Sequence, residues 1–218
     1  MQSYSYTVKP MDEEVLELHA HGQVFNDPDY YVRLAELYEE GYRVKRDLKK
    51  TVKYYLKAVN IGSVKAAEGL AFFYEYGGGK KKHGNFYKKI AKWWLKAAEL
   101  SSQEGMLRSG LNYQYGLGLD VNFEKAFRWY LKLAETGSYK GMFLVGECYF
   151  YGIGVERDYT KAFGWYKKSV RGGDMEACKR LADCYALGLG TKQSLKKAQK
   201  VGVVYTWELQ NTYDRYYA

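Results

Sequence analysis

The chain has 218 residues, 47% of them hydrophobic, and carries a formal net charge of +9. That length can bury a sizeable core, and no run approaches the eighteen apolar residues a membrane-spanning helix needs. Its two prolines, Pro10 and Pro28, both lie near the N-terminus, so nothing beyond residue 28 forbids continuous helix, and an all-α chain is expected. The opening "MQSYSYTVKPMDEE" has no apolar stretch behind a basic start, which argues against a signal peptide. The expected location is therefore cytoplasmic, or periplasmic for a chain whose leader has been removed. Residues 11–22, "MDEEVLELHAHG", begin acidic and end on glycine, and read as one helix capping the open N-terminal face of the fold.

From residue 29 the chain repeats itself. Tyr113, Tyr149 and Tyr185 stand 36 apart, and each is followed three residues on by Gly116, Gly152 or Gly188. Tyr38 with Gly41 and Tyr74 with Gly77 are two earlier copies, and "GGGKKKHGNF" lengthens one step to 39. The glycine closes a first helix, because it enters the left-handed conformation of a helix C-terminus at least cost. A short loop then leads to Asp47, Asn122, Asp158 and Ser194, which share one column and are all strong N-cap residues for a second helix. Gly62, Gly137 and Gly173 end that helix. Aromatic pairs recur within it, Tyr54-Tyr55, Trp93-Trp94, Trp129-Tyr130 and Trp165-Tyr166, and read as core; the fifth copy has Val201-Gly202 and marks the end of the array. Two columns of small residues, Ala66, Gly105, Gly141 and Ala177, and Ala35, Ala71, Gly110, Gly146 and Ala182, fall where backbones approach closely.

These phrases resemble the Sel1-like repeat, a relative of the tetratricopeptide repeat. The matching residues are Ala177, Leu181, Tyr185, Gly188 and Gly190, then Gly154, Val155, Asp158, Lys161, Ala162, Trp165 and Tyr166, then Lys96, Ala97 and Ala98. Ser109 departs from the leucine column, and the loop "YRVKR" lacks the second glycine. The resemblance implies a right-handed α/α superhelical solenoid of about five repeats, at 29–63, 64–102, 103–138, 139–174 and 175–210. Residues 1–28 would hold the N-terminal cap, "VGVVYTWELQ" would extend the last helix as the other cap, and 211–218 would be a tail. Stacking agrees with this independently, since no single helix pair can bury its own aromatic stripe.

Charge divides by element. The five first helices sum to −4 and the five second helices to +13. In solenoids of the tetratricopeptide type first helices line a concave groove, so the groove would be mildly acidic inside a basic protein. Its open positions would be Glu36, Glu39, Glu68, Phe72, Glu75, Tyr76, Leu107, Leu111, Gln114, Tyr115, Phe143, Glu147, Phe150, Tyr151 and Asp183. Aromatics beside carboxylates suit a protein segment bearing basic and apolar side chains. The basic second helices could instead grip phosphates, with the loop "GGGKKKHG" at 77–84 the most exposed basic element; their aromatics are expected in the core rather than free for base stacking.

Other chemistry lacks a pattern. "YGLGLD" and "YGIGVE" follow helices and have neither the third glycine nor the lysine of a phosphate-binding loop. His19 and His21 are two apart and point to different faces of a helix, and with His83 they are the only histidines. Cys148, Cys178 and Cys184 read as small core residues in a reducing compartment. No catalytic residue, metal or cofactor is expected. The family resemblance implies a non-catalytic adaptor for a protein or peptide partner such as a signalling protein, with an immunity protein against a bacterial toxin as a sharper version. Nucleic-acid binding through the basic face is the alternative, and a β-lactam-binding hydrolase is a third. A monomer or weak oligomer is expected.

Overall fold

The structure is a computed structural model; it describes residues 15, 17, 18, 20, 24, 26–42, 44–76 and 85–202. The described residues are helical or in connections, with no strand among them. In chain order the helices are α1 (Pro28–Glu40), α2 (Leu48–Asn60), α3 (Val64–Tyr76), α4 (Asn85–Glu99), α5 (Gln103–Tyr115), α6 (Phe123–Glu135), α7 (Tyr139–Tyr151), α8 (Tyr159–Val170) and α9 (Met175–Leu187). Residues 195–202 form the start of a further helix. Of the expected N-terminal cap, Val15, Glu17, Leu18 and Ala20 are described and helical, and Val15 is fully buried. The rest of that cap, the 77–84 loop and the C-terminal extension after 202 lie outside the described residues, as do His19, His21 and His83.

The helix boundaries follow from side-chain chemistry at their ends. Asp47 accepts hydrogen bonds from the Lys49 and Lys50 amides, Asn122 from Lys125, Asp158 from Lys161 and Ser194 from Lys197. Each satisfies orphan donors of a first turn. A second column of caps, unread in the sequence, starts the first helices. Asp27, Ser63, Ser102, Ser138 and Asp174 accept from the amides of Asp29, Ala66, Gly105, Gly141 and Ala177. Gly41, Gly152 and Gly188 close α1, α7 and α9 in the left-handed conformation.

One hydrogen bond ties the two helices of a repeat together. The N-cap amide of Asp47, Asn122, Asp158 and Ser194 donates to the carbonyl of Tyr38, Tyr113, Tyr149 and Tyr185, each at 2.8–2.9 Å. Above it a cation–π contact recurs in all five repeats: Lys50, Lys89, Lys125, Lys161 and Lys197 lie 4.6, 5.4, 5.2, 5.3 and 5.5 Å from the ring centres of Tyr38, Tyr74, Tyr113, Tyr149 and Tyr185. Each contact of this kind is worth about 0.5–1 kcal/mol at an exposed site. The lysine of the D-x-x-K phrase and the tyrosine of the Y-x-x-G phrase are thus partners across one hairpin.

The chain divides into two compact units, with the boundary between Gly105 and Met106. In the first, Leu34, Leu37, Ala58, Leu70 and Trp94 are at the centre of one buried cluster, with Val15 at its N-terminal end. In the second, Tyr130, Val145 and Cys148 form one cluster and Ala162, Tyr166, Leu181 and Cys184 another. The aromatic pairs divide their labour. Trp94, Tyr130 and Tyr166 are at most 1% exposed, whereas Trp93, Trp129 and Trp165 are only half-buried. The expectation that both members of each pair are core holds for Tyr54-Tyr55, 8% and 5% exposed, and is corrected for the other three. There the first member turns outward and is covered by a lysine, Lys92 at 5.2 Å, Lys132 at 4.5 Å and Lys168 at 4.0 Å from the respective rings.

Glycines let the buried rings in. A Cβ on Gly110 would lie 2.3 Å from Tyr130 Cε1, and one on Gly146 2.6 Å from Tyr166 Cε1. Ser109, the departure from the leucine column, is fully buried.

Candidate binding site

In the first unit α1, α2 and α3 enclose a hollow of about 380 Å³ lined by Glu36, Glu39, Tyr55, Lys65, Glu68, Gly69, Phe72, Phe73 and Tyr76. Five of the residues expected to line a groove, Glu36, Glu39, Glu68, Phe72 and Tyr76, come together here; Glu75 is half-buried on the same helix and outside the lining. The helical period places Glu68, Phe72 and Tyr76 on one face of α3.

The rim is aromatic. Tyr76 is 76% exposed and stacks on Phe72, with ring centres 6.0 Å apart and planes 22° from parallel. Phe72 in turn meets the buried Trp94 edge-on at 4.8 Å. One exposed ring is thereby anchored to the core through another.

The walls are acidic. Three carboxylates line the hollow with the ammonium of Lys65, which is 3.2 Å from Glu36; Arg33 lies 3.6 Å from the other oxygen of Glu36. Glu68 accepts a short hydrogen bond from the Ser102 hydroxyl, the same oxygen that caps Gly105. Tyr55 donates to Glu39 at 3.4 Å. Burial raises the Glu39 pKa above its ordinary value, partly offset by the Tyr55 hydrogen bond and the Arg46 charge. Burial and the surrounding carboxylates push the Tyr55 hydroxyl upward, so it stays a donor.

In the second unit the expected residues are largely occupied by the chain itself. Leu107 and Leu111 pack against the Tyr130 cluster. Gln114 accepts from the Tyr130 hydroxyl at 2.7 Å. Glu147 accepts from the Tyr166 hydroxyl at 2.6 Å and from Arg180 Nε and Nη2 at 3.0 and 3.1 Å. Phe150 meets Tyr151 and Tyr159 edge-on at 4.9 and 5.1 Å. Phe143, expected to be open, is 8% exposed and packs against Tyr166 at 6.1 Å. It is a core side chain, because the α7 face that carries it turns toward α8. Asp183 is half-buried. Only Tyr115 and Tyr151, 63% and 53% exposed, present large open aromatic surface among the expected residues of this unit.

Tyr55, Lys65, Gly69 and Phe73 are not among the residues the sequence assigns to a groove. The repeat pattern places Tyr55 wholly in the core. For Gly69 a signal is present: its column otherwise holds Arg33, Arg108, Leu144 and Arg180, so one repeat lacks a side chain where the others have a long one.

Among the described residues no group of three or more His, Cys, Asp and Glu could hold a metal ion, and no helix is long and apolar enough to cross a membrane. Cys148, Cys178 and Cys184 are buried thiols.

Repeated helix pairs, capped alike and clamped alike, define an α/α-repeat protein, a class in which neighbouring repeats supply one another's core. The chain belongs to the Sel1 repeat family, which matches residues 28–63, 64–102, 103–138, 140–174 and 176–200. Sel1 repeats are typically protein-interaction scaffolds and generally non-catalytic. Among solved structures, a protective antigen of uropathogenic Escherichia coli strains with an SLR fold is similar, at TM-score 0.75 and 27% identity over 93% of this chain and 42% of that one. The chain thus spans less than half of that protein's length. A Sel1 repeat protein from Oxalobacter formigenes is similar at TM-score 0.68 and 27% identity, over 90% of this chain and 82% of that one. A looser likeness, TM-score 0.46 at 18% identity over 94% and 77%, is to an immunity protein from Pseudomonas aeruginosa; at that distance it says nothing of this chain's partner. Comparison with curated proteins gives no match.

Proposed function

We propose that the chain is a non-catalytic scaffold that holds a protein partner on the faces of its first helices, with the hollow of the first unit as the principal anchor. The observation that carries this reading is the pairing of exposed, stacked aromatics, Phe72 and Tyr76, with three carboxylates around one concavity. Aromatic anchors supply most of the energy of protein interfaces, and carboxylates beside them favour a partner segment with basic and apolar side chains. The lysines of the second helices support the same choice. Five of them are engaged with tyrosine rings of their own repeats, and Lys92, Lys132 and Lys168 lie over the half-buried Trp93, Trp129 and Trp165.

The test is capture from a lysate of the source organism by the full chain, at low and moderate salt, beside a variant with Tyr76, Tyr115 and Tyr151 changed to alanine. The expected result is one stoichiometric protein that survives moderate salt and is lost with the variant. A toxin among the captured proteins would specify an immunity role. Nucleic acid that washes off with salt, is retained equally by the variant and is accompanied by no protein would overturn the scaffold reading in favour of the basic helices.

A further inference from the structure

We infer that the hollow of the first unit is a socket for one arginine side chain of the protein partner. The inference rests on the scaffold reading and adds the chemistry of the contact. The chain contains a filled version of the same socket. In the second unit Arg180 pairs through Nε and Nη2 with Glu147, and its guanidinium lies 5.8 and 5.6 Å from the ring centres of Phe150 and Tyr151. Tyr166 forms the floor and donates to the same carboxylate.

The repeat register carries Glu147 onto Glu36, Tyr166 onto Tyr55, and Arg180 onto Gly69, whereas Phe150 and Tyr151 fall on Glu39 and Glu40, so the rings of the first unit's hollow, Phe72 and Tyr76, come from α3 instead. Glu36 and Gly69 are separated by the same 33 residues as Glu147 and Arg180. Where the second unit places Arg180, the first has no side chain at the matching position, and the guanidinium that reaches Glu36 is that of Arg33 on the same helix, at 3.6 Å. No side chain at Gly69 could be accommodated without rearrangement, because a Cβ there would lie 2.6 Å from Tyr55 Cε1. Tyr55 has taken that room, and its hydroxyl turns to Glu39 instead of Glu36. The result is a hollow lined by Gly69 into which that position sends no guanidinium.

The surroundings suit the same group. Glu36, Glu39 and Glu68 line the hollow with Lys65, an exposed ammonium on a flexible stem that can swing away from Glu36; Arg33, 3.6 Å from Glu36, and Arg46, whose charge acts on Glu39, approach the same carboxylates from outside the lining. Exposed pairs of that kind hold weakly. A guanidinium is planar, forks onto carboxylates and stacks on aromatic faces, here Phe72 and Tyr76; an ammonium does neither of the last two things as well.

The experiment is a titration of the isotope-labelled full chain, followed by amide chemical shifts, with N-acetyl-arginine amide, N-acetyl-lysine amide and N-acetyl-citrulline amide. Citrulline keeps the shape and removes the charge. Saturable shifts are expected for arginine at Glu36, Gly69 and Phe72, with a dissociation constant on the order of millimolar, and at least about tenfold weaker binding for lysine and citrulline. The double variant E36Q/E68Q, with unchanged far-ultraviolet circular dichroism, is expected to lose the arginine shifts. Equal binding of citrulline or lysine, shifts that map elsewhere, or arginine binding undiminished in the double variant would overturn the socket. A captured partner that needs the exposed tyrosines but ignores E36Q/E68Q overturns the socket alone. Arginine binding with no captured protein overturns the scaffold reading alone.

Discussion

Gly154→Ala separates two reasons for a glycine in the repeat loop, and the structure assigns a magnitude to each. Gly154 has φ 69°, and an added Cβ would lie 2.0 Å from the carbonyl oxygen of Phe123, 2.3 Å from its carbon and 2.7 Å from the Glu124 nitrogen. The left-handed conformation costs an L-residue about 1–2 kcal/mol. The contact is with backbone at the start of α6 and cannot be relieved by turning a side chain, so displacement adds about 1–3 kcal/mol. The expected loss is therefore about 2–5 kcal/mol. Two other glycines of the same unit serve as controls. Gly137 has φ 88° with nothing within 4 Å of its Cβ position, so its alanine variant bears the conformational part only, about 1–2 kcal/mol. Gly164 lies inside α8, also in open space, and alanine there is expected to stabilise by about 0.5–1 kcal/mol. Urea denaturation of the full chain, followed by circular dichroism, ranks the three. Repeat arrays can unfold in more than one step, so shifts are compared on the transition that all three variants move. Gly154→Ala no worse than Gly137→Ala would refute the steric half of the reasoning.

Three further outcomes are expected from burial and its electrostatic effects. Phe143→Ala is expected to cost about 3–5 kcal/mol in the same denaturation assay as a core truncation, whereas Tyr151→Ala, exposed at 53%, should stay within about 1 kcal/mol; similar losses would mean that both rings are core. Glu39 has its folded pKa raised above 4.5 by burial, so the stability it contributes is present at low pH and lost as pH rises through the folded value; Glu39→Gln is expected to stabilise at neutral pH and to converge with the parent below about pH 4.5, seen as melting temperature against pH. Burial pushes the Cys148 thiol up to about 12 and the Cys184 thiol up to about 11; iodoacetamide at pH 8 should leave both untouched in the folded chain and alkylate them in denaturant, read by intact mass, and rapid labelling of the folded chain would contradict their burial.

The fold is readable in the sequence because its punctuation is local. Asp47, Asn122 and Asp158 cap through side chains that need only the next turn, and Gly41, Gly152 and Gly188 end helices by their own conformation. The second cap column, Asp27, Ser63, Ser102, Ser138 and Asp174, is equally local, and in three repeats it directly follows the glycine that ends the preceding helix, Gly62, Gly137 or Gly173. Side-chain direction is harder. Period and hydrophobicity treat Trp165 and Tyr166 alike, yet neighbours on a helix point about 100° apart, and only packing against α7 and α9 decides which is inside. Phe143 and Phe72 occupy different columns of the repeat, but each column mixes apolar and charged residues across the copies, so the pattern does not reveal that one faces a neighbouring helix and the other a hollow. The hollow itself depends on an absence, the missing side chain of Gly69, and acquires meaning only beside Arg180 in another repeat.

The lysine that rests on each repeat's tyrosine changes what the basic isoelectric point of 9.2 measures. A positive charge is part of the hinge that joins the two helices, so duplicating a repeat duplicates a cation regardless of what the array holds. Five of the 34 lysines and arginines are hinge residues of this kind, so part of the basicity of such a chain rises with the number of its repeats.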